Sequence, residues 1–262
     1  MSRVIAITNQ KGGVGKTTTA INLAAALAAS EVKVLLIDAD PQGNSTSGLG
    51  IQKTEGLPTI YQVLVDGIRI NEAICHTETE GLDLLPADKN LIGANLDLVS
   101  IDDRESILAR QIEPIRDQYQ FILIDCPPAL DLLTLNALIA ADSVLIPIQC
   151  EFFALEGVSG LMDTIDRIRD SFNHPLAIEG ILLTMYDERT NLTRQVAADL
   201  REFFGSEVFK TVIPRSIRLA EAPSHGQPIL LYDPASKGSE AYIQLAREVL
   251  AHGQTQSAQS AR

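Results

Sequence analysis

The sequence lacks any long hydrophobic run. No stretch approaches the 18 consecutive apolar residues that indicate a membrane-spanning helix. Met1 leads within two residues into the strand-like segment VIAIT at 4–8, and we therefore expect no signal peptide. Together these features predict a cytoplasmic protein that does not bind a membrane.

Cysteine is also scarce. Cys75, Cys126 and Cys150 are widely spaced, and no two of them form a C-x-x-C pair. Because disulfide frameworks and zinc sites are built from closely spaced cysteines, the pattern favours three reduced thiols over a redox or metal role.

Positive charge is in short supply, with 21 Lys and Arg against 34 Asp and Glu and a formal net charge of -13. Affinity for nucleic acid comes mainly from Lys and Arg near the phosphates, so this balance excludes a protein that coats DNA with its whole surface. The stretch 189–218 is an exception, since it holds six basic and three acidic residues. On charge alone, a basic stretch of this kind is usually an ordinary solvated face.

What the sequence does contain is a series of short, unbroken apolar runs separated by helical patterns. The apolar runs lie at 4–8, 32–38, 82–87, 121–127, 143–149 and 177–184. The helical patterns lie at about 17–29, 89–98, 103–118, 132–141, 155–172, 191–204 and 236–251. Apolar strands of this unbroken kind belong to a parallel sheet that helices cover on both faces. We therefore predict the α/β class, with a doubly wound, mostly parallel sheet and helices on both of its faces.

The chain length suits one such domain. Its 262 residues, 45% of them hydrophobic, can bury a large core. We predict a single domain over 1–252. The polar, small-residue segment GQTQSAQSAR at 253–262 predicts a disordered tail.

The first apolar run is followed by the glycine-rich segment KGGVGKTT at 11–18 and then by a helical pattern. Strand, glycine loop and helix N-terminus are the context of a P-loop, in which backbone amides and the helix dipole hold phosphate. In this role Lys16 reaches the β- and γ-phosphates, the Thr17 hydroxyl binds Mg²⁺, and the amides from Gly13 to Thr18 line the phosphates.

The loop departs from the usual pattern G-x-x-x-x-G-K-[ST] at its start. Gln10 stands where the first glycine is expected, and a second lysine, Lys11, follows it. The Lys11 side chain can point across the phosphates and away from its own subunit, or it can be a solvated surface lysine.

Carboxylates follow two of the predicted strands. Asp38 and Asp40 come after VLLI, and Asp125 comes after FILI. In open α/β sheets ligands bind at the carboxyl ends of the strands, where Mg²⁺ takes carboxylate and water oxygens. An Asp in this position is also common as a turn or helix cap. Beside a P-loop, Thr17, Asp40 and Asp125 become the candidate metal ligands, and the role of Asp38 stays open.

Several segments resemble one family of P-loop proteins. KGGVGKTT is similar to the deviant Walker A motif of the ParA/MinD class of ATPases. The blocks that resemble the chromosome-partitioning ParA (Soj) branch are LLIDADPQGNSTSGLG, FILIDCPPAL, LLTLNALIAADSVLIPIQCEFFALEG and IPRSIRLAEAPSHGQPI. The resemblance runs through nearly the whole chain, and it implies a Mg²⁺-dependent ATPase that hydrolyses ATP slowly without a partner.

The resemblance also implies roles for particular residues. Lys11 contacts the nucleotide bound to the second subunit of an ATP-dependent homodimer. Asp40 positions or activates the attacking water, and Asp125 holds Mg²⁺ through water. Pro214 and Ser216 lie near the purine. The implied nucleotide-binding set is Lys11, Gly12, Gly13, Val14, Gly15, Lys16, Thr17, Thr18, Pro214 and Ser216, and the implied catalytic set is Lys11, Lys16 and Asp40.

The same branch implies the partners. Arg189 and Arg218 match arginines that bind double-stranded DNA without sequence preference, which would place the protein on the nucleoid. A ParB-type centromere-binding protein would stimulate hydrolysis. Three alternatives stay open: a MinD-like membrane ATPase, whose basic amphipathic terminal helix is missing from GQTQSAQSAR; an orphan ParA-like ATPase that positions a protein cargo; and an iron-protein-like reductase, which needs paired interface cysteines.

Overall fold

The computed structural model describes residues 2–52, 54, 56–151, 153–172 and 174–260, apart from the side chains of 156 and 253–260. Within these residues eight strands form one sheet in the order β3-β4-β2-β5-β1-β6-β7-β8. The strands are β1 Arg3–Ile7, β2 Val34–Asp38, β3 Cys75–His76, β4 Leu82–Leu85, β5 Phe121–Asp125, β6 Ser143–Gln149, β7 Ala177–Tyr186 and β8 Val208–Pro214. Only the pairing of β3 with β4 is antiparallel among them.

Helices cover both faces of this sheet. Those of the described chain are α1 Lys16–Ala28, α2 Asn44–Gly48, α3 Ile70–Ala73, α4 Leu91–Asp97, α5 Ile107–Ile112, α6 Leu132–Ala140, α7 Ala154–Phe172, α8 Asn191–Phe204, α9 Ile217–Glu221, α10 Ile229–Tyr232 and α11 Lys237–Ser260. One core cluster joins the sheet to α5, α6, α7 and α8, and the other joins it to α1 and α11. The predicted fold class is confirmed.

The central strands show why the sequence folds in this way. Successive residues of β1 alternate between the two cores, with Val4 and Ala6 in one and Ile5 and Ile7 in the other, and all four are fully buried. A strand with apolar side chains on both faces has to be covered on both faces. The unbroken hydrophobic runs therefore place β1, β2 and β5 in the middle of the sheet.

The six predicted strands are all present, and two strands were missed. The first is the two-residue edge strand β3, which is too short to give a pattern. The second is β8, whose sequence VFKTVIP mixes polar and apolar residues and has only part of its length buried. As an outer strand beside β7, β8 does not need two apolar faces.

The predicted helix at 103–118 is shorter than expected. The structure has the α-helix α5 over Ile107–Ile112, with 3₁₀ turns before and after it. Pro114 lies at the start of the second turn, Glu113–Gln118. A proline has no N–H to continue an α-helical ladder, and its ring clashes with the preceding turn. Helical periodicity continues through this segment although the α-helix does not.

Two further predictions concern the C-terminal tail and the membrane. The disordered tail was predicted at 253–262. The side chains of 253–260 and all of 261–262 lie outside the described structure, so the disorder stays a prediction. Among the described residues, no helix combines the length and the apolar character needed to cross a bilayer.

Candidate functional site

The glycine-rich loop connects the carboxyl end of β1 to the start of α1. Gly13 and Gly15 have φ of 76° and 91°, in the left-handed region where a side chain would be strained. The Asn9 side chain fixes the start of the loop, because its Oδ1 accepts the Lys11 N–H at 2.9 Å. Further along, the Thr184 hydroxyl donates to the Val14 carbonyl at 2.7 Å. Hydrogen bonds to Asn9 and Thr184 therefore fix the loop at its start and at Val14.

Lys16 lies at the first position of α1 and is only 7% exposed. Its ammonium donates to the carbonyl of Lys11 at 3.2 Å, so it lies across the mouth of its own loop. Burial lowers the pKa of Lys16, while the charges of Asp125 and Asp40 act in the opposite direction. A partly desolvated cation enclosed by a loop of backbone amides fits a phosphate group.

Two buried carboxylates lie side by side behind the loop. Asp38 and Asp125 are register partners on the neighbouring strands β2 and β5, and both are fully buried. Asp38 accepts both the N–H and the hydroxyl of Thr46, at 2.8 and 2.7 Å, which ties the segment after β2 to the sheet. Its side chain is thereby engaged in ordering this segment.

Asp125 is differently placed. Its Oδ2 accepts the Ser45 hydroxyl at 2.8 Å, but its buried Oδ1 has no hydrogen-bond donor among the described residues. Burial and then the charge of Asp38 raise the pKa of Asp125, and the hydroxyls of Ser45 and Thr17 lower it. An unpartnered buried carboxylate oxygen beside a threonine hydroxyl fits a bound divalent cation, which would supply the missing positive charge.

Asp40 faces the open side of the same site. Its Oδ1 accepts the Gln42 N–H at 2.9 Å, and its own N–H donates to Asp38 at 3.2 Å. The carboxylate is therefore fixed in direction, and it lines the cavity rather than the core. This position suits a group that orients a polar ligand atom next to the phosphates.

A cavity of about 500 Å³ opens above the loop. Of the predicted residues, those that line it are Gly12, Gly13, Gly15, Lys16, Thr17, Thr18, Asp40, Pro214 and Ser216. The segment 212–223, which resembles the adenine-side loop of the family, also contributes Ile213, Arg215, Leu219 and Ala220. The remaining wall residues were not predicted: Asn44, Pro128, Thr184, Met185 and Tyr242. Thr184 ends a predicted strand, so the strand-end rule applied to Asp38 and Asp125 also points to it. Tyr242 comes from the distant helix α11, and nothing in its local sequence indicates its place in the cavity.

Three of the residues predicted to bind nucleotide or metal do not line the cavity. Val14 is buried and contributes its carbonyl to Thr184, and Asp125 lies behind Thr17. Lys11 points away, and its ammonium forms an ion pair with Glu151, just after β6; both side chains are about half exposed, at 49% and 45%. Lys11 is thus at the surface beside the cavity mouth, in an ion pair within its own chain.

The two predicted DNA-binding arginines are also at the surface. Arg189 is 85% exposed at its side chain and pairs with Asp187 at 2.7 Å. Arg218 is 58% exposed, with Glu221 at 3.1 Å and Asp233 at 3.6 Å. Each of these arginines therefore has a carboxylate partner on its own chain. Their role in DNA binding stays a prediction.

The glycine loop, the buried lysine and the paired strand-end carboxylates at the carboxyl edge of a parallel sheet define a P-loop nucleotide-binding protein. No group of three or more His, Cys, Asp or Glu side chains in the described chain is arranged to hold a metal. Mg²⁺ in nucleotide sites takes one or two carboxylates and completes its shell with phosphate and water oxygens, and Asp125 beside Thr17 offers such a carboxylate.

Comparison with known proteins narrows this class. The sequence profile of a family described as an AAA domain matches residues 2–178. The chain is 54% identical over 253 residues to the sporulation initiation inhibitor protein Soj of Bacillus subtilis, covering 97% of this chain and 100% of that protein. It is 53% identical over 261 residues to the chromosome partitioning protein ParA of Caulobacter vibrioides, covering 99% and 98%. The chain belongs to the Soj/ParA family of chromosome-partitioning P-loop ATPases.

Solved structures agree with this assignment at the level of the fold. Cobyrinic acid a,c-diamide synthase from Mycobacterium smegmatis, crystallised with ADP and magnesium, superposes with a TM-score of 0.84 at 37% identity, covering 97% of this chain and 96% of that one. The septum site-determining protein MinD from Pyrococcus horikoshii, with Mg-ADP, gives a TM-score of 0.78 at 28% identity, covering 95% and 96%. The predicted family is confirmed.

Proposed function

We propose that this protein is a Mg²⁺-dependent ATPase that partitions DNA. ATP closes a homodimer, the dimer binds double-stranded DNA without sequence preference on the nucleoid, and a ParB-type partner stimulates hydrolysis so that ADP-bound subunits leave the DNA. One observation carries most of this proposal. The phosphate-binding loop has its nucleotide lysine, Lys16, directed inward and its second lysine, Lys11, directed outward at the cavity mouth.

The inward half of the site accounts for nucleotide binding. The Lys16 ammonium can exchange the Lys11 carbonyl for phosphate oxygens, which are stronger charged acceptors. Thr17 and Asp125 would hold Mg²⁺, with Asp125 contributing the oxygen that has no donor in the described structure. The ion would neutralise charge that develops on the phosphates during transfer. Asp40, fixed by the Gln42 N–H, would orient the attacking water.

The outward half accounts for nucleotide-dependent pairing. Lys11 does not line the cavity, so it should contribute little to the affinity of its own subunit for nucleotide. Placed against the triphosphate of a second subunit, the Lys11 ammonium supplies positive charge that a single subunit lacks. Hydrolysis by the isolated chain should accordingly be slow, and binding of ATP should decide whether the protein is alone or paired.

DNA binding follows from pairing. An acidic chain with Arg189 and Arg218 as its local positive charge makes few phosphate contacts, whereas a dimer doubles them and increases both affinity and salt dependence. ATP should therefore control DNA binding through the dimer. A ParB-type protein is proposed as the partner because of membership in the Soj/ParA family.

The experiment that tests this function combines chromatography with DNA retention. Wild type and Asp40→Ala are run on size exclusion with ATP, with ADP and without nucleotide, and each fraction is then tested for retention of a random-sequence duplex. Of the three conditions, we expect only ATP to give a dimer, which should be stable in Asp40→Ala and transient in wild type. Only the dimer fraction should retain DNA. Equal DNA retention under all three conditions would contradict the coupling.

A liposome-binding experiment distinguishes this function from the MinD-like alternative. The same fractions are mixed with anionic liposomes and sedimented. Cosedimentation that depends on ATP, with no DNA retention, would favour a MinD-like membrane function. A dimer that binds neither DNA nor liposomes would favour an ATPase that positions a protein cargo.

A further inference from the structure

Four consecutive residues at the end of β7 connect the nucleotide cavity to the predicted DNA-binding surface. Thr184 bonds to the phosphate loop through the Val14 carbonyl, and Met185 lines the cavity. The Tyr186 carbonyl accepts the N–H of Arg215, another residue of the cavity wall, at 3.3 Å. Asp187 follows directly and pairs with Arg189. We call residues 184–187 the β7 connector.

The β7 connector contains a strained backbone position. Met185 has φ of 49°, in the left-handed region that a long side chain rarely adopts. Backbone of this kind persists where the surrounding structure holds it, and it concentrates at ligand sites and switches. Here the constraint comes from Thr184 on one side and the Tyr186 carbonyl on the other. Because Met185 lines the cavity, a ligand bound there would lie against the strained residue.

The contact between Asp187 and Arg189 is two-pronged. Arg189 Nε donates to Oδ1 at 2.8 Å and its terminal nitrogen donates to Oδ2 at 2.7 Å, while the Arg189 N–H also donates to Oδ1 at 3.1 Å. These bonds, and the nearby charge of Arg215, hold the pKa of Asp187 at about 2. The carboxylate therefore stays ionised at neutral pH, with the arginine fork turned back onto its own chain.

We propose that Asp187 is a positioning residue that withholds Arg189 from DNA until nucleotide in the cavity rearranges the β7 connector. This inference rests on the proposed function, because it takes Arg189 as a DNA contact. Under this inference, DNA binding is regulated within each subunit as well as by dimerisation. To bind DNA, the Arg189 guanidinium must exchange the Asp187 carboxylate for a phosphate. It therefore contributes less binding free energy than a guanidinium without a carboxylate partner would.

The test measures affinity for a random-sequence 60-base-pair duplex, without nucleotide and with a non-hydrolysable ATP analogue, over a range of salt. Asp187→Asn keeps the shape of the side chain and removes its charge. Asp199→Asn is the matched control, since it removes an equally negative charge from the exposed surface of α8 in the same stretch. Arg189→Ala and the double variant Asp187→Asn/Arg189→Ala complete the set.

Exposed ion pairs are weak, so the expected effect is modest. Without nucleotide, Asp187→Asn should raise the affinity for DNA about 2- to 5-fold more than Asp199→Asn does. With the ATP analogue, the affinity of Asp187→Asn should change less. The ratio between DNA affinity with the analogue and DNA affinity without nucleotide should therefore be smaller in Asp187→Asn. The gain should vanish in the double variant. Equal nucleotide dependence in Asp187→Asn and Asp199→Asn would overturn the inference while leaving the proposed function intact. If Arg189→Ala binds DNA like wild type with the ATP analogue, the proposed DNA surface itself is wrong.

Discussion

The Lys16 ammonium donates a hydrogen bond to the Lys11 carbonyl, 3.2 Å away, across the loop that is proposed to hold phosphate. Lys16→Ala removes the only buried ammonium described in the cavity wall. We expect nucleotide affinity to fall by at least about 100-fold, because hydrogen bonds to charged groups are each worth about 1.5–3 kcal/mol. Titration of a fluorescent ATP analogue measures this.

Lys33→Ala is the control for that variant. Lys33 lies before β2 at the opposite end of the strand from Asp38 and is exposed, so its loss changes the net charge by the same amount without touching the site. It should bind nucleotide like wild type. Comparable affinity in Lys16→Ala and Lys33→Ala would contradict the assignment of the loop as the phosphate site.

Asp40→Ala should separate binding from turnover. The Asp40 carboxylate lines the cavity but makes no hydrogen bond to the phosphate loop among the described contacts, so ATP affinity should change by less than about 3-fold. Loss of a group that orients the attacking water typically costs about 10²- to 10⁴-fold in rate. A phosphate-release assay under saturating ATP checks the rate, and wild-type turnover would remove Asp40 from the mechanism.

The same substitution at Asp38 provides a matched comparison. Asp38 is fully buried and holds the N–H and hydroxyl of Thr46. Asp38→Ala leaves these two donors and the Asp40 N–H unpaired, so the free energy of unfolding should fall by about 1–3 kcal/mol, as for other unsatisfied buried groups. Asp40→Ala, at the cavity wall, should lose less. Chemical denaturation of the two variants distinguishes a structural carboxylate from a functional one.

Lys11→Ala should separate nucleotide binding from dimerisation. The Lys11 side chain points to Glu151 and lies outside the cavity wall, so a single subunit should bind ATP within about 3-fold of wild type. The ATP-dependent dimer should be lost at concentrations where wild type pairs. Sedimentation velocity with Lys33→Ala as the control measures both species, and a persistent ATP-dependent dimer would show that Lys11 does not act across an interface.

Much of this site could be predicted from sequence because its parts are local. The loop that holds Gly13, Gly15 and Lys16 is one continuous segment, and Asp38 and Asp125 follow apolar runs whose parallel pairing brings strand ends together. A pattern within a short window is enough to identify such features.

The parts that could not be predicted depend on long-range contacts. Tyr242 reaches the cavity because α11 packs beside α1, and its hydroxyl lies 3.3 Å from that of Thr19. The Glu151 partner of Lys11 is 140 positions away in sequence. Neither pairing leaves a local pattern. The strained backbone of Met185 was equally invisible, since a methionine gives no signal for a left-handed residue as a glycine does.

A buried ion cluster far from the loop gives a prediction about stability. Glu179 on β7 pairs with Arg3 and accepts the Ser143 hydroxyl at 2.9 Å, and His252 on α11 lies 3.7 Å from its second oxygen. Glu179→Gln leaves Arg3 without its counter-charge, which for buried pairs costs about 3 kcal/mol at neutral pH. Glu72→Gln, which breaks the exposed pair with Arg69, should cost no more than about 0.5 kcal/mol.

The pH dependence of this difference identifies the charges involved. Despite burial, the neighbouring His252 side chain, the Arg3 charge and the Ser143 hydroxyl lower the pKa of Glu179 below 4.5, so its contribution is present above that pH and is lost as acid protonates the folded carboxyl. The nearby Glu179 carboxylate raises the pKa of His252 above 6.5, so that contribution is complete below 6.5 and is lost as pH rises through the folded value. The stability difference between wild type and Glu179→Gln should therefore be largest between about pH 4.5 and 6.5. Urea unfolding from pH 3.5 to 9 measures it, and a difference that does not change with pH would mean that packing, and not charge, accounts for the loss.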